Sequence, residues 1–274
     1  MEKLNTNQLN AIPETMLIPL WAKATENKRS DAILKDAKAI EIINKIDYDF
    51  DKFKNIKFSQ IGVCIRAKII DDEVKKFLTK HPNAVVIQLG AGLDARYERL
   101  GCPKTITHWY DLDLPEVISI RKEVLSESSK NSYLSISLFD FQWIEEVKKH
   151  KKRVLILCEG VLMYFSPEEV RVLFETICQQ LGEATFIFDM LAYKLLGQAK
   201  KHDAVKVTKN KAEFKWTLLN TKEMEQWNTK IHLKSEYFMS DFYQNRFPFI
   251  YRMLCKIPYI YKNYNQRIVC LEIR

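Results

Sequence analysis

The amino-acid sequence predicts an α/β fold organised on a doubly wound, mostly parallel sheet. Three observations predict it. From residue 83 onward, short apolar runs alternate with amphipathic stretches at the spacing of βαβ units. The first of these runs ends in a glycine turn, Gly90-Ala91-Gly92, in a chain with only 7 glycines. Its 274 residues, 47% hydrophobic and 28% charged, can bury a substantial core, yet no apolar stretch approaches the roughly 20 residues of a membrane span.

The elements follow in order. Residues 1–82 read as a helical N-terminal cap, with one segment starting at Pro13–Trp21 and a longer periodic helix over Phe58–Lys80, ending before Pro82. The runs Ala84–Leu89, Thr107–Leu112, Tyr133–Leu138, Arg153–Cys158 and Ala184–Asp189 are rich in Val, Ile, Phe and Tyr and suit buried strands. Ser166-Pro167-Glu168-Glu169 has the N-cap, first-turn proline and third-position glutamate of a capping box, and Asp113-Leu114-Pro115-Glu116 repeats that logic. The less regular stretch at about 193–228 is expected as an inserted helical cover. His232–Phe238 and Ile268–Ile273 are expected as a C-terminal antiparallel strand pair. With no repeat, low-complexity tract or long linker, 1–274 reads as a single domain whose α/β core occupies 83–274.

Composition narrows the function classes. The start is polar and has no apolar signal core. The six cysteines are scattered, with no CxxC pair and no zinc-ligand spacing, and read as reduced thiols of a cytoplasmic protein. The net charge of +8 arises in residues 195–274, with 15 basic against 7 acidic groups. This surplus is dispersed lysine without an arginine-rich run, so it reads as a solvated basic surface rather than a nucleic-acid footprint. A non-catalytic basic binding module is the alternative from another class. The expected partner is a small-molecule acceptor, with no nucleic acid and no membrane; the oligomeric state is open.

Three strand ends carry chemistry. The strand over Val85–Leu89 runs into Gly90 and Gly92, where missing side chains let a ligand approach the backbone. About 20 residues on, Asp111 and Asp113 are placed to accept hydrogen bonds from ribose hydroxyls. Asp113 can equally be an N-cap, and its two carboxylate oxygens allow both. Glu159-Gly160 ends the buried run at Cys158 with an acid that needs a partner. Upstream, Arg66 lies on an apolar helix face. It forms a structural ion pair or clamps a ligand carboxylate, and local sequence favours the pair. The pattern Gly90-x-Gly92-x-x-Ala95 also fits NAD, against which stand the eighty residues before the first strand and the mixed charges of Asp94 and Arg96.

Four ordered stretches resemble one family: Glu14–Trp21, Leu89–Arg96, Tyr110–Val117 and Glu159–Tyr164. They are similar to the leucine carboxyl methyltransferase family, particularly a bacterial branch like the tetracenomycin-type polyketide O-methyltransferases. The resemblance implies a class I, Rossmann-like methyltransferase fold with S-adenosylmethionine as methyl donor and S-adenosylhomocysteine as product. Carried over by position, it implies that Arg66 binds the cofactor carboxylate, which reverses the local reading of that residue. It places Gly90 at the methionine portion with Gly92 also cofactor-binding, Asp113 at the ribose with Asp111 as runner-up, Asp140-Phe141 beside the adenine, and Glu159 at the amino group or its water shell. The family's Asp-Thr-Arg is here Asp94-Ala95-Arg96, without the threonine hydroxyl.

No His–Asp base pair stands near the strand ends, which favours an ionised carboxylate acceptor over a hydroxyl. His202, beside Lys200 and Lys201, reads as a surface residue. Tyr164, Tyr193, Tyr243 and Arg246 are the acceptor-pocket candidates, because aromatic walls with one cation suit an acidic or aromatic small molecule. The alternative acceptor is a protein C-terminal carboxylate.

Overall fold

In the computed structural model, residues 4–5, 14–199 and 213–274 are described; His202 lies outside them. Among these residues the N-terminal region is helical, as expected. After a 3-10 turn at Glu14–Met16 come α1 (Leu17–Glu26), α2 (Ala37–Lys45) and α3 (Lys57–Lys80). Two-residue strands β1 (Leu4–Asn5) and β2 (Ile46–Asp47) pair in parallel beside them.

The core is a seven-stranded sheet. Its strands are β3 (Val85–Leu89), β4 (His108–Asp113), β5 (Asn131–Ser135), β6 (Val154–Cys158), β7 (Ala184–Met190), β8 (Ile231–Phe238) and β9 (Arg267–Ile273), in spatial order β5-β4-β3-β6-β7-β9-β8. The first five are parallel, and β9 runs antiparallel to both β7 and β8. The order reverses between β3 and β6, which opens a crevice at their carboxyl ends.

Helices cover both faces, so the central strands are buried throughout and mostly apolar, with Gln88 of β3 and Thr185 and Asp189 of β7 as buried polar exceptions. Val85, Ile87 and Leu89 join one core with Trp143 of α6 (Gln142–Lys148) and Phe174 of α7 (Pro167–Gln180). Val86, Leu155 and Leu157 face the other way, onto Ile65, Ile70 and Val74 of α3. The short α4 (Arg96–Arg99) and α5 (Pro115–Val124) complete the βα connections, and α8 (Phe249–Leu254) and α9 (Pro258–Tyr264) lie between β8 and β9. All six cysteines are unbridged, with four buried and Cys102 exposed. Among the described residues no helix is long and apolar enough to cross a membrane.

Three expectations change. The third sheet strand begins at Asn131 rather than Tyr133, because the Asn131 Nδ2 donates to buried Asp111 (2.9 Å) and fixes the register against β4. Asp113 is not the N-cap: Leu114 occupies that position of α5 without a side-chain capping bond, and the capping box exists at Ser166, whose Oγ accepts from the Glu169 amide. Of the 193–228 segment, the described residues form only 3-10 turns, at Tyr193–Leu195 and Thr221–Gln226, rather than helical cover.

Candidate active site

The crevice beyond the strand ends deepens into a cavity of about 1130 Å³. Gly90, Asp113 and Glu159 close its floor at the carboxyl ends of β3, β4 and β6. The walls are Thr15–Lys23 at α1, Phe58, Gly62 and Arg66 on α3, and a cluster of apolar and aromatic side chains that includes Tyr164, Leu195, Phe247, Tyr251 and Tyr264.

The floor is held by a buried charge network. Arg66 Nε donates to Glu159 Oε1 (2.9 Å) and Nη1 to Asp189 Oδ2 (3.0 Å). Arg96, fully buried, pairs through Nη2 with the other Glu159 oxygen and through Nε with Asp71 Oδ1 (2.8 Å). Arg99 extends the chain to Asp71, Asp36 and Asp94, and Lys23 of α1 closes on Asp94 Oδ1 at 2.5 Å. Burial alone would raise the Glu159 pKa, but Arg96 and Arg66 hold it down at about 2. Burial would likewise lift Asp94, yet Arg99, Lys23 and Arg96 keep it well below the carboxylate range. Both acids are therefore ionised at neutral pH, and Arg66 and Arg96, raised by the same partners against the effect of burial, stay charged.

Backbone geometry completes the cradle. Gly90 has φ +67°, and a Cβ there would stand 2.5 Å from Val161 Cγ2. Gly160 has φ +73°, and a Cβ there would press on the Arg66 guanidinium at 3.1 Å. The Gly160 amide donates to Asp189 Oδ1 (2.6 Å), and Gln266 reaches the other Asp189 oxygen (2.7 Å). Asp113 accepts from the Gly92 amide (2.7 Å) and from its neighbour Leu114 (2.8 Å), while burial raises its pKa.

A sequence profile of the leucine carboxyl methyltransferase family matches residues 17–178, more than half the chain. The chain belongs to the leucine carboxyl methyltransferase family. Among its relatives is the tetracenomycin polyketide synthesis O-methyltransferase TcmP of Streptomyces glaucescens, 28% identical over 236 residues that cover 86% of each chain. The S-adenosyl-L-methionine-dependent methyltransferase dpfgK of Gibberella zeae is 28% identical over 190 residues, covering 64% of this chain and 63% of that one. A Thermobifida fusca structure provisionally named a methyltransferase superposes with a TM-score of 0.60 at 12% identity, covering 98% of this chain and 97% of that one. A duf574 family protein from Streptomyces avermitilis follows at 0.58 and 8%, covering 93% and 97%. The chain is thus an S-adenosylmethionine-dependent methyltransferase with the class I, Rossmann-like fold expected. The dinucleotide and non-catalytic readings fall away.

Of the residues singled out in the sequence, this member of the family brings Arg66, Gly90, Gly92, Asp113, Glu159 and Tyr164 into one cavity lining. Asp111 is not there. It is buried beneath, taken up by Arg121 (2.8 Å), Asn131 (2.9 Å) and the Trp109 indole (3.0 Å). Asp140 and Phe141 also lie outside the lining, at the start of α6, where Asp140 accepts from the Gln142 amide; Ile136, Ser137 and Leu138 line the cavity in their place. Tyr193 and Tyr243 are partly exposed and outside the lining. Arg246 is spent on a bidentate pair with buried Glu26 (2.6 and 2.9 Å), which ties the 246 turn to α1. The residues missed were Lys23, Asp94, Arg96 and Asp189. Asp189 had a readable signal, because it closes the apolar run of β7 as Glu159 closes that of β6.

Proposed function

We propose that the enzyme transfers methyl from S-adenosylmethionine to a carboxylate or hydroxyl oxygen of a small acidic or aromatic metabolite. The observation that carries this reading is the continuity of the charged floor with the aromatic lobe in one cavity. The residues fit the cofactor. The missing Cβ at Gly90 leaves room beside the strand end, and Asp113 offers a carboxylate rim for the ribose. Arg66 faces the lining with a carboxylate-binding guanidinium, and Glu159 offers an anion for the amino group. Arg66 then serves as structural pair and clamp together, with Nε and Nη1 pinned by Glu159 and Asp189.

When bound, the cofactor supplies an electrophilic methyl group on a sulfonium. The chain's own part is to hold the acceptor oxygen in line with it and to exclude water. Phe247, Tyr251, Tyr264 and Leu195 give the apolar walls for that exclusion. No described histidine lines the cavity, which supports an acceptor already ionised at neutral pH, a carboxylate, over one that needs a base. The alternative acceptor is the C-terminal carboxylate of a protein. Residues 1–82 act in this reading as the cap of a single catalytic domain.

Calorimetric titration with S-adenosylhomocysteine tests the cofactor assignment. Asp113→Asn and Arg66→Ala should each weaken binding by at least tenfold, and unchanged affinity in either would reject that residue's role. Labelled cofactor incubated with cell extract tests the acceptor. Label in small molecules that alkali releases as methanol supports a carboxyl ester, alkali-stable label supports a hydroxyl, and label in protein would overturn the small-molecule reading.

A further inference from the structure

Between β8 and β9 the helices α8 and α9 turn apolar side chains outward. Phe249, Ile250, Met253 and Leu254 recur at i, i+1, i+4 and i+5 on α8, and Phe249 and Ile250 are 67% and 73% exposed. Tyr251, on the opposite side, packs on Phe247 (ring centroids 4.8 Å apart) and lines the active-site cavity. Ile257 and Tyr259 continue the exposed surface past the end of α8. An amphipathic helix normally buries this face, and single exposed apolar residues need no explanation, but a contiguous patch does.

The charge around the patch has one sign. From Phe242 to Leu271 the sequence contains no acidic residue. Two of the cations there, Arg246 and Arg267, are committed to Glu26 and Glu236. Arg252, Lys256 and Lys262 are in no ion pair among the described residues, and Arg252 lies 5.6 Å over the Phe249 ring. These three cations line a second hollow of about 430 Å³ behind the patch. Its one acid, Asp241, already accepts from the Tyr261 hydroxyl (2.7 Å).

We propose that α8 and α9 form an interfacial docking surface for an anionic phospholipid membrane. The apolar side chains enter the headgroup boundary, and the three cations meet lipid phosphates. The chemistry favours this over a second copy of the chain, since a two-fold contact would set one cationic rim against another. Among the described residues no helix is long and apolar enough to cross the bilayer; the protein would lie on it, which revises the expectation of no membrane contact. Because Tyr264 of α9 is both exposed and part of the active-site wall, docking would set the acceptor lobe beside a membrane-partitioned amphiphile.

Flotation of the full chain with vesicles tests the surface without cofactor or acceptor, so its outcome is independent of the proposed function. Vesicles of phosphatidylcholine with about one-third phosphatidylglycerol should bind at least tenfold more protein than phosphatidylcholine alone, and raised salt should reverse this. Lys256→Glu with Lys262→Glu should lower partition by roughly fivefold per cation. Phe249→Ser with Ile250→Ser should lower it about tenfold, with unchanged circular dichroism and thermal midpoint in both double variants. Binding that ignores lipid charge, or none to either vesicle, would overturn the proposal. So would loss of self-association in the Phe249→Ser/Ile250→Ser variant without vesicle binding in the parent, or saturable binding of inorganic phosphate alone.

Discussion

Gly90 shows how a single side chain can be forbidden. Its φ of +67° lies in the left-handed region, and Val161 occupies the space a Cβ would need. Gly90→Ala therefore combines backbone strain with overpacking and should cost about 2–4 kcal/mol in urea unfolding. Adding Val161→Ala should recover the packing part and leave the strain. A loss below about 1 kcal/mol would show that the turn relaxes. Glu159 makes a prediction of another kind. Its folded pKa is depressed from 4.5 to about 2, so the folded state binds its proton less readily than the unfolded chain does. The stability it contributes is then fully present above about pH 4.5 and is lost as pH falls toward 2. Asp94 adds in the same sense and Asp113, whose pKa is raised, subtracts. The urea midpoint should drop steeply between pH 4.5 and 2.5, and Glu159→Gln should flatten that drop. A parent profile level over this range would reject the assignment.

Elements were legible where one physical signal dominated. The apolar runs of β3, β6 and β7 sit within one residue of their expected starts, because burial on both sheet faces demands mostly apolar strands. β5 was misplaced because its first residue is polar and buried, set by a hydrogen bond to Asp111 that hydrophobic patterning cannot register. α8 and α9 went unread for the opposite reason: their apolar residues have helical spacing but face solvent. At α7 the local signal and the structure agree fully, with the Ser166 and Glu169 side chains each satisfying the other's amide. Ser166→Ala should cost about 1 kcal/mol by chemical denaturation with an unchanged slope, and Ser166→Asp should retain most of the stability. Equal stability of Ser166→Ala and the parent would mean that packing alone holds the helix start.

At the scale of the whole molecule, the site was readable residue by residue but not as a network. Arg66, Gly90, Asp113 and Glu159 were visible as individual strand-end or helix-face features. Their mutual pairing, and the part played by Arg96, Lys23 and Asp189, depend on contacts between segments far apart in sequence, on which periodicity is silent. The placement of β9 has a consequence for how the molecule comes into being. This strand, latest in sequence of the seven, stands inside the sheet, with Ala184 paired to Ile273 on one side and Ile231 to Ile273 on the other. During synthesis, residues 184–238 leave the ribosome with two strand edges facing a gap that nothing yet fills. Those edges cannot join until residues 267–273 have emerged, so this half of the sheet closes late and through long-range pairing, the slow kind. A nascent chain is most open to mispairing in that interval, and its length is set by translation of the α8–α9 stretch.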